Sequence, residues 1–166
     1  MSSEIQILGL SLHAFTQFHV ALSLIGILSG LVVLLGMLGS KPLNAVTAAF
    51  LITTVLTSLT GFLFPFHGVT PGIVIGILSL IVLLLAILAR YAFHYTGGWR
   101  ATYVVTSVIA LWFNVFVFIV QSFQKVPALH ALAPTGTETP FKVSQLVVLI
   151  TFIVLGVRAV RKFHPA

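Results

Sequence analysis

Cysteine is absent, and only two of the 166 residues are acidic, Glu4 and Glu138. Without cysteine there are no disulfides, thiolate metal centres, iron–sulfur clusters or cysteine nucleophiles. Both glutamates lie outside the long apolar runs. That removes carboxylate pairs, di-metal carboxylate sites and the intramembrane Asp/Glu relay of proton-driven pumps. Charge of either sign is scarce: 6% of residues are charged and 59% are hydrophobic, where an ordinary soluble domain is about 25% charged. So few charged side chains cannot solvate the surface of a soluble fold. Also missing are a Walker loop, a dinucleotide fingerprint, a His-Glu-x-x-His helix and a Gly-x-Ser-x-Gly elbow. No lysine lies deep in an apolar run to hold a Schiff base, and no internal repeat marks a two-fold transporter.

What remains is apolar sequence in long runs rather than amphipathic stripes, the pattern of helices that face lipid. Five runs have close to the ~20 residues needed to cross the hydrocarbon core. They cover about 16–38, 43–66, 72–91, 101–123 and 143–160. The breakers between them are Gly39-Ser40-Lys41-Pro42, Phe64-Pro65-Phe66-His67-Gly68 and Thr96-Gly97-Gly98, followed by an outer loop over 124–140 that holds Pro127, Pro134, Gly136 and Pro140. The expected fold is therefore all-α, a single polytopic transmembrane helical bundle of five spans, with four as the alternative. The first fifteen residues hold no Lys or Arg. The first run also exceeds the ~7–15 residues of a signal h-region, so it is expected to stay as a span.

The net charge of +6 would suggest nucleic acid in a soluble protein. Here the basic residues sit at span ends, which makes the lipid bilayer the expected partner and nucleic acid not one. Six of the eight basic residues fall on one side: Lys41, Arg90, Arg100, Arg158, Arg161 and Lys162. The other side has Lys125 and Lys142. The rule that Lys and Arg gather in the cytoplasm gives N-terminus out, C-terminus in. Arg90-Tyr91 and Trp99-Arg100 read as interfacial anchors that meet lipid headgroups.

Small and polar residues suggest how the helices meet. Gly26 with Gly30, and Gly72 with Gly76, have the spacing that lets backbones approach closely. Thr53, Thr54, Thr57, Ser58 and Thr60 in span two are expected to bond to carbonyls one turn back or to neighbouring helices. Asn114 is the deepest strongly polar residue. It sits on a stripe with Thr102, Thr106, Ala110, Gln121 and Lys125. An amide in hydrocarbon needs a partner, and the hydroxyls of span two are the expected one.

The orientation places His13, His19, His67 and His130 on the outer side, with Gln17, Gln121, Gln124 and Lys125. His19 lies one turn inside span one, on a face with Ser23, Gly26 and Gly30. Imidazole is a common ligand of metals and of haem iron. His19 and His67 are thus candidate ligands of a haem iron or metal, although interfacial histidines are also ordinary hydrogen-bonded residues. The candidate cofactor-binding set is His19, His67, Asn114, Gln121, Gln124 and His130, with haem b or a quinone as ligand. No catalytic residue is assigned, and the balance leans away from an enzyme. The loop over 124–140 is read either as a lid on the outer mouth or as a solvated linker.

Four stretches carry a resemblance. These are Leu56-Thr57-Ser58-Leu59-Thr60-Gly61-Phe62-Leu63-Phe64-Pro65-Phe66, Leu88-Ala89-Arg90-Tyr91, Gly98-Trp99-Arg100, and Gln121-Ser122-Phe123-Gln124-Lys125-Val126-Pro127-Ala128-Leu129. They resemble a family of small multi-span bacterial inner-membrane proteins with no assigned activity. The resemblance implies a bacterial inner (cytoplasmic) membrane and no substrate, cofactor or catalytic residue. Three function classes follow from the residues. The first is a protein that binds haem or quinone on its outer face. The second is a non-catalytic accessory or scaffold subunit, in a homo-oligomer or a larger membrane complex. The third, least favoured, is a small channel or transporter.

Overall fold

The computed structural model describes residues 6–65, 68 and 70–165. A two-residue hairpin, β1 (Gln6–Ile7) and β2 (Leu10–Ser11), leads into α1 (Leu12–Leu38). Then come α2 (Asn44–Gly61), α3 (Pro71–Ile87), a π-helical turn over Leu88–Ala92, α4 (Trp99–Lys125), α5 (Pro127–Leu132) and α6 (Thr139–Lys162). Five of these helices, counting α3 with its π turn as one, are long and apolar enough to cross a membrane. The protein is a multi-pass transmembrane helical bundle. Its near end is the one where α1 begins, and its far end is the one where α1 stops.

The helix ends follow local chemistry. Ser11 caps α1 by accepting from the Ala14 N–H at 3.3 Å, so the helix starts at Leu12 rather than near Thr16. Thr70 caps α3 in the same way through the Ile73 N–H, and Pro71 opens it. Helix α2 ends at Gly61, short of the expected Phe66, because Phe62 and Leu63 close tight turns onto Leu59 and Thr60. Pro127 and Pro140 read as breakers in the sequence, yet each stands in the first turn of a helix. There the missing N–H is no loss and the fixed φ favours the helix. Much of the 124–140 loop is therefore helical. Helix α5 has no buried residue and packs against α4.

Helices α1 to α4 form a ring in chain order, α4 closes on α1, and α6 lies outside against α4 and α1. Helix α4 is the most buried span and α6 the least. The dense core occupies the far half, built from Val33, Leu34, Met37, Phe50, Leu51, Leu83, Ala86, Tyr103, Leu111 and Phe163 among others. Gly26 and Gly30 let α1 approach α2 and α4 at mid-span. A Cβ on Gly26 would lie 3.1 Å from Thr54 Oγ1 and 3.3 Å from Asn114 Nδ2. This glycine face is therefore used inside the bundle.

At the near end, Glu138 holds the turn before α6. Its carboxylate accepts from the N–H and hydroxyl of Thr135 and from the Thr137 N–H. Desolvation pushes its pKa up, but these hydrogen bonds together outweigh it and hold the pKa at about 2 against an ordinary 4.5. A depressed carboxyl contributes stability above its unfolded pKa and loses it as pH falls through the folded value. Protection of the Thr135 and Thr137 amides, measured against their intrinsic exchange rates, is thus expected to be lost only as pH approaches about 2. Glu138→Gln should show fast exchange already at neutral pH.

Candidate functional site

The near half of the bundle is not packed solid. Helices α1, α2, α3 and α4 surround a cavity of about 730 Å³ there, within the usual ~300–1,000 Å³ of small-molecule sites. Its walls are mainly apolar, with Val20, Leu24, Phe62, Ile73 and Phe118 among them. The polar groups come from separate helices, among them His19 and Ser23, Thr57 and Ser58, Ser79, and Asn114, Gln121 and Lys125. It is not sealed, since Val20, Leu24, Phe118, Gln121 and Lys125 are exposed.

The floor is a polar contact at mid-membrane depth. Asn114 Nδ2 donates to Thr54 Oγ1 at 3.2 Å, with both residues buried. Span two thus supplies the partner that an amide in hydrocarbon requires. Four other hydroxyls of α2 are satisfied within their own helix, while Thr47 donates to the Pro42 carbonyl just before it. Thr53, Thr57, Ser58 and Thr60 donate to carbonyls one turn back at 2.7 to 3.0 Å.

His19 forms part of the wall and is held on two sides. Its Nδ1 lies 2.8 Å from Thr60 Oγ1, and the Phe64 ring meets it edge-on at 5.2 Å. Phe64 in turn packs on the fully buried Phe15, which ties the end of α2 to the start of α1. The other ring nitrogen, Nε2, has no hydrogen-bond partner among the described residues.

Three of the six sequence candidates meet in this cavity: His19, Asn114 and Gln121. Gln124 and His130 line a separate pocket of about 190 Å³ beneath the 124–140 loop, with Phe123, Ala133 and Phe141. The reason is helical geometry. Each residue turns about 100° round an α-helix, so Gln124 faces α5 while Gln121 and Lys125 face the cavity. His67 lies outside the described residues. The 124–140 loop contributes only Lys125 and Val126 to the large cavity, so it flanks the opening rather than roofing it.

His19 Nε2 is the nitrogen that could hold a haem iron, and a hydrogen bond on Nδ1 is the support that metal-bound imidazoles use. Among the described residues no three His, Asp or Glu side chains gather to form a metal site of another kind.

A second polar cluster lies at the far end, where sequence reasoning saw only an interfacial anchor. Arg90 is 6% exposed and belongs to the π turn at the end of α3. Its Nη1 donates to the hydroxyls of Tyr95 and Tyr103, and its Nη2 to Asn44 Oδ1 at 2.6 Å and the Pro42 carbonyl at 3.4 Å. Burial pushes the Tyr95 hydroxyl above its usual range and the neighbouring Tyr103 adds to this, against the pull of Arg90, so Tyr95 accepts as a neutral phenol. Arg100 is likewise more than an anchor. It donates to the Val160 and Phe163 carbonyls, both at 2.7 Å, and closes the end of α6.

Fold and site together define a five-span membrane bundle, closed at one end and holding a ligand-sized cavity at the other. No protein-family model, curated protein or solved structure matches the chain.

Proposed function

We propose that this protein binds a membrane-soluble amphiphile of the quinone class in the near-end cavity. The single observation behind this reading is the cavity itself: about 730 Å³, open, apolar-walled, with His19 Nε2 left unpaired among the described residues. An isoprenoid or alkyl tail fits the wall of Val20, Leu24, Ile73 and Phe118, and His19, Gln121 and Lys125 are placed to meet a polar head. A quinone is favoured over haem b because a quinone needs one or two hydrogen bonds, whereas a bis-histidine haem needs a second axial nitrogen. In this reading the chain lies in a bacterial inner membrane with the near end outward, as the distribution of Lys and Arg favours. Its role is binding rather than catalysis.

A Gly-x-x-x-Gly face could serve the accessory-subunit reading as a docking surface, and Gly26–Gly30 is one such face. That face packs against Thr54, Phe50 and Leu111 of the same chain, which leaves a partner less to grip.

The test is extraction of the protein purified in mild detergent, followed by mass spectrometry and an optical spectrum before and after dithionite. A co-purified quinone is expected in the parent. It should be absent from Ser79→Phe, which places a ring in the cavity at a residue now 3% exposed. A Soret band that disappears in His19→Ala would replace quinone by haem. Equal lipid content in parent and Ser79→Phe, with no Soret band, would remove the cavity as a site.

A further inference from the structure

The state of the His19 ring is fixed by its neighbour, and that decides which head group the cavity can hold. The Thr60 hydroxyl has one hydrogen. It directs that hydrogen back to the Leu56 carbonyl at 2.7 Å, with Thr57 O at 3.2 Å as a weaker second acceptor. Toward His19, 2.8 Å away, Thr60 Oγ1 can therefore only accept. The donor must be His19 Nδ1–H. In the neutral imidazole a proton on Nδ1 leaves Nε2 as a bare acceptor.

Phe64 packs against the same ring, so aromatic contact and hydrogen bond together hold it in place. The hydroxyl back-bond in α2 thus writes a polarity into the cavity wall some forty residues away in sequence.

We infer that the cavity selects a ligand whose head carries a hydroxyl donor, a lipid-soluble hydroquinone rather than its oxidised quinone. This rests on the ligand reading above and narrows it. A hydroquinone O–H donates to Nε2, and the same oxygen can accept from the Gln121 amide or the Lys125 ammonium, which line the same cavity. A quinone carbonyl offers lone pairs only. It would set oxygen against the lone pair of Nε2 and would have to rely on Gln121 or Lys125 alone. The reduced form gains one hydrogen bond that the oxidised form lacks, and the oxidised form leaves an acceptor unpaired. Together these correspond to about a tenfold difference in affinity.

The experiment uses the full-length protein in neutral-lipid nanodiscs under anaerobic conditions. Equilibrium dialysis measures three probes: a decyl-substituted benzohydroquinone, its quinone and its dimethyl ether. The hydroquinone is expected to bind about tenfold more tightly than either of the others. His19→Leu should bring all three to the same weak level. Thr60→Val removes the acceptor that holds the proton on Nδ1, so the preference should shrink, and Thr60→Ser should restore it. Size-exclusion profiles confirm that each variant is folded.

A quinone that binds as tightly as the hydroquinone would overturn the donor selectivity and leave the cavity reading intact. An unchanged preference in Thr60→Val would overturn the tautomer argument. Failure of all three probes to bind the parent would overturn both the selectivity and the quinone-class reading.

Discussion

Arg90→Ala is expected to destabilise the bundle by on the order of 3 kcal/mol, the scale of losing more than one hydrogen bond from a charged group. Among the described residues Arg90 is the only buried basic side chain and no carboxylate accompanies it. Its charge is held by neutral acceptors, the hydroxyls of Tyr95 and Tyr103, the Asn44 amide oxygen and the Pro42 carbonyl. It also stands at the carboxyl end of α3, where the helix dipole favours a cation. Three tyrosine rings, Tyr91, Tyr95 and Tyr103, lie 5.4 to 5.6 Å from its guanidinium carbon. The arrangement ties the end of α3 to the start of α2 and to α4. Alanine would leave those acceptors without their donor and open a void beside the core. Arg90→Lys keeps the charge but not the planar fork that reaches two sides at once, so it should fall between. Equilibrium unfolding in mixed micelles checks the order. An Arg90→Ala variant within about 0.5 kcal/mol of the parent, the range of an ordinary surface change, would show that Arg90 is no latch.

The existence of five spans was legible because hydrocarbon thickness imposes a length and composition that no soluble helix needs. Which face of each span turns inward was much less so. In α3 the buried line runs Ser79, Leu83, Ala86, Arg90, yet the residues around it are nearly all apolar. Lipid and protein interior ask for the same side chains, so the amphipathic signal that marks an inward face in a soluble helix is missing here. Arg90 was therefore read as pointing to headgroups. Where a polar group lies deep, the signal returns. Asn114 had to find a partner, and the hydroxyls of span two were the nearest supply.

The cavity follows the same division. His19 and Gln121 could be placed at one end of the bundle by counting along their spans. The pairing of His19 with Thr60 depends on how α1 rotates against α2, and the separation of Gln124 from Lys125 depends on a single residue step round α4. Prolines misled for a different reason. Pro140 ends a loop and begins a helix in the same position, and local sequence alone does not say which role dominates.

Gly30→Leu should prevent the bundle from forming, whereas the same change at Gly72 should leave stability nearly unchanged. The two glycines belong to identical Gly-x-x-x-Gly patterns, so only their surroundings separate them. A Cβ added at Gly30 would lie 2.6 Å from Leu111 Cδ1 and 2.8 to 2.9 Å from two carbons of the Phe50 ring. Leu111 and Phe50 are each 1% exposed, and the aromatic ring cannot bend aside. Even Gly30→Ala must separate α1 from α2 or α4, an overpacking cost of about 1–3 kcal/mol. Leucine adds three more carbons where there is no room for one. At Gly72 the nearest atom to a new Cβ is Thr70 Oγ1 at 3.7 Å, an ordinary contact, and the residue is exposed. The yield of monodisperse protein and the unfolding midpoint give the readout. Gly30→Ala tolerated as well as Gly72→Ala would mean that α1 does not meet α2 and α4 through this face. The floor of the cavity would fall with it, since Gly26, one turn earlier, is what admits the Asn114–Thr54 contact.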